Sequence, residues 1–218
     1  TGSSRSEIFG TLSAQSDLFF MNPNGILFGE GAKLEVDGLL VGTTADHIKL
    51  GDTGEFRASL FAGPTLLTVD APEAYGFLGD RSTAPIEITT LLDAQGSVTL
   101  VGGDILLRGE NGNPAGIDTP SGDITLLGVR GNTASDQSHL IDLNSGSAPA
   151  NTGRVELEYG ELTTKRRIMI RSGEFQMVNS NVSNFSNVDS NEDQGIDIDI
   201  DRDVNIAESN IRSKSAGN

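Results

Sequence analysis

The chain has 218 residues, no cysteine, 27 glycines, 5% aromatic residues and a net charge of −16 from 31 acidic and 15 basic side chains. That length carries a continuous core without staples, while the missing cysteines exclude disulfides, thiolate metal sites and thiol nucleophiles. The acidic balance excludes nucleic acid and anionic lipid as main partners, and 36% apolar residues with abundant glycine fit a thin layered interior.

No run approaches the ~18 apolar residues of a membrane helix, so no membrane insertion is expected. Apolar runs are short or alternating, and none sustains a helical period, which makes the class all-β. In chain order the first runs are Leu18 to Met21, Ile26 to Phe28, Lys33 to Val36, Leu39 to Val41 and His47 to Leu50. Between the first two lies Asn22-Pro23-Asn24-Gly25. Pro23 fixes its own φ and biases Asn22 toward extended backbone, while Asn24 and Gly25 are residue types that accept left-handed geometry, so a sharp corner is expected. Seven of the nine phenylalanines precede residue 80, which implies a thicker, irregular N-terminal part. Prolines 64, 72 and 85 then mark an excursion, with a short helix expected around Pro72 to Phe77.

A phrase of glycine followed by alternating aliphatic and polar residues begins at Gly96, Gly122, Gly153 and Gly195, with offsets of 122 − 96 = 26, 153 − 122 = 31 and 195 − 153 = 42. Recurrence in this range favours stacked coils with insertions over a hairpin array. The fold expected is a right-handed parallel β-helix, with first coils in residues 1–80 and continuing coils in residues 81–218.

Ile8-Phe9-Gly10-Thr11-Leu12, the run from Leu18 through Asn22-Pro23-Asn24-Gly25 to Gly29, Leu34 to Val41 and Val98 to Ile105 resemble filamentous haemagglutinin-like exoproteins of two-partner secretion, in a cyanobacterial form. The likeness covers roughly residues 5–160. It implies a secretion domain that is a right-handed parallel β-helix, with residues 1–80 as the C-terminal part of that domain. It also implies a large secreted or cell-surface, adhesin-like protein of a Gram-negative type outer membrane. Such a chain is exported unfolded through an outer-membrane β-barrel transporter and folds outside, with host or surface glycans as possible targets. By the same resemblance, Asn22, Pro23, Asn24 and Gly25 carry secretion competence, by transporter contact or by folding. The family's opening strands precede this point, so the chain reads as N-terminally truncated.

Other residues offer less chemistry. Asp197, Asp199 and Asp201 share one strand face and are weak calcium candidates against a solvated face. His47 and His139 form no metal or triad spacing and are assigned nothing. Lys165, Arg166, Arg167 and Arg171 form a basic cluster expected to pair across strands with Glu156, Glu158 and Glu161. Asparagines 179, 181, 184, 187 and 191 suit side-chain ladders or a polar loop. No catalytic residue and no cofactor is expected. The competing readings are a carbohydrate-active β-helix enzyme, which needs carboxylates of adjacent coils facing one cleft, and the stalk of a contact-dependent toxin.

Overall fold

The computed structural model describes residues 3–51, 53–58, 72–77, 84–129, 139–142, 153–186 and 195–215. Every regular element among them is a strand, and most strands come in threes. The first coil is β1 (Ser6–Ile8), β2 (Thr11–Ala14) and β3 (Leu18–Met21), and the second is β4 (Ile26–Phe28), β5 (Lys33–Val36) and β6 (Leu40–Thr43). An excursion carries β7 (His47–Leu50), β8 (Gly54–Arg57) and β9 (Pro72–Phe77). The next coils are β10 (Ile86–Ile88), β11 (Leu91–Asp93) and β12 (Val98–Gly102), then β13 (Ile105–Arg108), β14 (Ala115–Thr119) and β15 (Ile124–Gly128). A second excursion holds β16 (His139–Asp142), after which β17 (Arg154–Glu158), β18 (Gly160–Thr164), β19 (Arg167–Val178), β20 (Asn181–Ser186), β21 (Gly195–Ala207) and β22 (Asn210–Ser215) complete the described residues.

Pairing within the coils is parallel and in register, which makes the fold a parallel β-helix with three faces. The first face runs β1, β4, β10, β13, β17 and the second halves of β19 and β21. The second face has the ladders β2–β5 and β11–β14–β18–β20–β22. The third face runs β3, β6, β12, β15 and the first halves of β19 and β21. Side chains alternate across each strand, so alternate residues point inward and align in columns from coil to coil. One such column on the third face is Leu18, Leu40, Val98, Ile124, Ile168 and Ile196. One on the first is Ile8, Phe28, Ile88, Leu107, Leu157, Met177 and Ile206. Together with parallel columns such as Leu100, Leu126 and Ile170, and with Leu34, Leu92, Ile117, Leu162 and Val182 of the second face, they form the main core.

The glycine of the repeated phrase has a steric cause. A Cβ on Gly96 would overlap the Gly38 carbonyl, and one on Gly122 would overlap the Gly96 carbonyl, so this corner stacks backbone directly on backbone. Gly153 belongs to a different column, beside Gly103, at the entrance to the first face. Only the 26-residue offset is therefore one coil; the other two cross between faces.

Buried polar groups mark the corner from the second to the third face, where Thr119, Thr164 and Asn184 are in register, with the exposed Ser213 next in the column. Thr119 Oγ1 donates to Gly96 O (2.9 Å), Thr164 Oγ1 to Gly122 O (2.6 Å), and Asn184 Nδ2 to Arg166 O. Each side chain thus satisfies a carbonyl of the preceding coil. The expected asparagine ladder is mixed: Asn184 joins this column, and Asn210 Nδ2 donates to Asn181 Oδ1 (3.2 Å) outside. Asn179 is a left-handed corner (φ 49°), while Asn187 and Asn191 lie outside the described residues.

The N-terminal thickening is an added antiparallel sheet, ordered β16–β9–β7–β8. It covers the outward residues Val41, Val101 and Leu127 of the third face, forming a second core with Ala45, Ile48, Tyr75, Phe77 and Val129. Pro72–Phe77 is accordingly a strand and not the expected helix, because β9 takes its hydrogen bonds from β7 and β16 on both sides. Phe28 and Phe77 are buried, whereas Phe9 and Phe19 are exposed.

His47 is buried in this sheet, its ring against the backbone of Gly76. Its Nε2 lies 3.7 Å from Glu55 Oε1, too far for a hydrogen bond. Burial chiefly holds the imidazole below its ordinary value, against the opposing pull of Glu55 and Asp46 and with Arg57 adding to the shift, so the ring is neutral at pH 7.

Two outcomes follow for stability. Thr164→Val strands the Gly122 carbonyl and the Arg166 amide and is expected to cost about 1–3 kcal/mol in urea unfolding. Because the folded chain binds the His47 proton more weakly than the unfolded chain, stability is level above about pH 6.5 and falls as the pH drops through it. His47→Phe should show a smaller loss between pH 7.5 and 5.5, about one unit either side of that value.

Candidate functional site

Asn22, Pro23, Asn24 and Gly25 link β3 to β4, from the third face of one coil to the first face of the next. The Gly25 amide donates to Asn22 O (3.0 Å), closing a four-residue turn. φ is positive at Gly25 (111°) and not at Asn24, which excludes a type II turn and leaves only Gly25 using the left-handed region expected of both. Asn22 Oδ1 accepts from the Asn24 amide (2.9 Å) and from Asn24 Nδ2 (3.1 Å). Asn22 Nδ2 donates to Ser4 O (3.1 Å) and Ser6 Oγ (2.8 Å). Both ends of this amide are therefore spent inside the molecule, tying the corner to the entry of β1.

The corner also seats the first excursion. The Asn22 amide donates to Thr43 O, where the excursion leaves, and Ile26 N donates to Pro85 O, where it returns (3.0 and 3.1 Å). Gly25 is buried there, and a Cβ on it would lie 3.2 Å from Pro85 O. Nearby, Arg5 Nε contacts Glu7 and Nη1 contacts Glu87, both at 2.9 Å. Since Glu7, Leu27 and Glu87 are in register on β1, β4 and β10, this guanidinium spans the outward Leu27. The hydrogen bond to Glu7 is the largest cause that raises the Arg5 pKa above its usual value.

A family model for the TPS secretion domain matches residues 1–212. The chain belongs to the two-partner secretion (TPS) domain family. The match extends beyond residues 5–160, which carry the sequence resemblance. Comparison with curated proteins and with solved structures gave no match. Membership in the TPS family makes the chain part of an exoprotein exported by two-partner secretion, with an outer-membrane transporter as partner, and places it in general among proteins secreted through the outer membrane.

The remaining candidates resolve into structural pairs. Asp197 accepts from Arg171 Nη2 (2.6 Å) and Arg167 Nη2 (2.8 Å), and Arg171 first, then Arg167, hold its carboxyl below the usual range. Asp197, Asp199 and Asp201 follow one another along β21, and among the described residues no group of three His, Cys, Asp or Glu is placed to hold a metal ion. The basic cluster is compensated, but by other carboxylates than expected: Arg166 pairs with Asp123 and Arg167 and Arg171 with Asp197, while Glu156 pairs with Arg108 and Arg154. These partners are close because stacking joins residues one coil apart. Asp93 and Asp118 are neighbours on the outer side of the second face. Desolvation, then Asp93, raises the Asp118 pKa, and Lys165 opposes them.

Ser4, Ser6, Thr43 and Pro85, the partners of the corner, carried no sequence signal, since nothing short of the coil register brings them to residue 22. Asn22→Ala removes the turn lock and the tie to β1 together and should cost about 2 kcal/mol. Gly25→Ala forces a positive φ on a residue with a Cβ and should cost about 1–2 kcal/mol. Urea unfolding midpoints check both.

Proposed function

We propose that this domain is the non-enzymatic export and folding segment of a haemagglutinin- or adhesin-like surface exoprotein, and that the Asn22–Gly25 corner serves export through folding. The observation that carries the second part is the committed amide of Asn22, whose Oδ1 and Nδ2 are both bonded within the molecule. In the folded domain this side chain therefore acts on the corner itself, closing the turn and tying it to the entry of β1. The sequence resemblance supports the adhesin class, with surface glycans as the target, and folding outside the cell.

The coil architecture supports a sequential mechanism. Residues 1–80 lay down the first coils and the root of the added sheet, and coils of residues 81–218 continue the same inward columns. Each coil buries its apolar row against the last, so the folded part grows at one end and resists backward movement through the transporter. Neither nucleotide nor cofactor enters this scheme.

The test replaces Asn22 and Asn24 singly by Ala in the full-length exoprotein expressed with its transporter. Secreted protein and the unfolding midpoint of the purified chain are measured for each. Asn22→Ala is expected to lower both, with Asn24→Ala lowering both less. Full export by a destabilised Asn22→Ala chain would overturn the proposal, and lost export at unchanged stability would assign the corner to transporter recognition.

A further inference from the structure

The sequence holds two Asn-Gly dipeptides, Asn24-Gly25 and Asn111-Gly112. Asparagine before glycine is the most labile setting for this side chain, because the next backbone nitrogen is unhindered and can attack the amide carbon. The two copies are chemically alike, and the fold treats them in opposite ways.

At the corner, the Gly25 nitrogen is engaged by its hydrogen bond to Asn22 O (3.0 Å), and Gly25 itself is buried against Pro85 and Arg5. The Asn24 side chain is held by Asn22 Oδ1 (3.1 Å), which fixes the carbon that would be attacked. Asn111 and Gly112 instead form the tip of a projecting hairpin between β13 and β14, closed by reciprocal 2.9 Å bonds between Glu110 and Asn113. Both tip residues are exposed, Gly112 has φ 88° with nothing within 4 Å of its ideal Cβ, and its amide has no hydrogen-bond partner among the described residues. The bonds at Glu110 and Asn113 hold the hairpin below the tip, so the tip can rearrange without opening a coil.

We propose that Asn111-Gly112 is a self-modification site of the folded molecule, and that folding shields Asn24-Gly25 from the same reaction. The Gly112 nitrogen, giving its proton to water or hydroxide, bonds to Asn111 Cγ, and the Cγ–Nδ2 bond breaks as ammonia leaves. Water then opens the five-membered imide at either carbonyl, giving aspartate or isoaspartate. The net change is gain of water and loss of ammonia, with no redox step and one added negative charge.

The shielding matters to the export reading, on which this consequence rests. A chain held unfolded has neither protection, so residence before export exposes Asn24. Conversion there would set a carboxylate against the acceptor Asn22 Oδ1, and isoaspartate would lengthen a four-residue turn by a main-chain carbon.

The purified chain is incubated in mildly alkaline buffer, folded and in urea, and digests are followed by mass spectrometry with isoaspartate labelling. In the folded chain Asn111 should convert while Asn24, exposed but held in a hydrogen-bonded turn, converts at least about tenfold more slowly. In urea the two should convert at comparable rates. Equal rates in the folded chain, faster conversion at Asn24, no conversion at Asn111, or persistent protection of Asn24 in urea would each overturn the proposal. Asn111→Gln in urea isolates Asn24, whose conversion should track the loss of refolding yield; this arm tests the consequence for export independently of the site assignment.

Discussion

Stacking of each coil on the last is the constraint from which the other features descend. Parallel, in-register pairing satisfies the backbone of one coil with that of its neighbours, and so forces identical positions of successive coils into columns. An inward column must then be apolar in every coil, as from Leu18 to Ile196 on the third face. Where two backbones meet closely at a corner there is no room for a Cβ, as at Gly38, Gly96 and Gly122. Where a corner leaves a carbonyl without a strand partner, a buried Thr or Asn must reach back to it, as Thr119, Thr164 and Asn184 do. The outer charges obey the same geometry, since Asp197, Arg167 and Arg171 meet across one coil spacing.

Extra chain can enter such a stack only at a corner, and the corner from the third to the first face is used repeatedly. The Asn22–Gly25 turn occupies it between the first two coils, and a long excursion between β6 and β10 occupies it next. Gly103 and Asp104 pass it in two residues, residues 129–153 expand it again, and within β19 it shrinks to a bulge between Ser172 and Glu174. The two expansions lie on one side of the helix, which is why β16 can join β9 in a single antiparallel sheet. The Asn22–Gly25 corner lies directly below the first of them and bonds to both its exit and its return. Its chemistry is that of a foundation: Pro23 and the Asn22 amide hold the turn, and the lack of a Cβ at Gly25 lets Pro85 approach.

Local order along the chain was legible in the sequence wherever it depended on near neighbours. The strands at 18–21, 26–28, 33–36 and 47–50 follow from alternation and turn residues, and the corner follows from Pro23 and Gly25. What depended on coil phase was not. The phrase at Gly153 looks like those at Gly96 and Gly122 but opens a different face, because inserted residues between β15 and β17 shift the count without altering the local pattern. Pro72–Phe77 carries Pro, Glu and Ala that suit a helical turn in isolation, and only the distant strands β7 and β16 make it extended. Likewise the basic residues at 165–171 announce pairing, while their partners Asp123 and Asp197 are set by register alone.

The same columns give the stack a direction. In coils covered on both sides the inward residues are essentially inaccessible, as at Val155, Phe175 and Met177. In the final described coil the equivalent positions Val204, Ile206 and Ile211 remain 57, 46 and 42% exposed, although each is paired to the coil before it. Pairing on one side therefore fixes the backbone of a coil but leaves its apolar row half in water, and only the next coil completes the burial. Hydrophobic stabilisation scales with area removed from water, so every coil laid down presents both the hydrogen-bonding edge and the unburied apolar row that draw in the next. A chain built this way needs contacts only about one coil apart in sequence at each step, which suits a polypeptide that becomes available to fold progressively and not all at once.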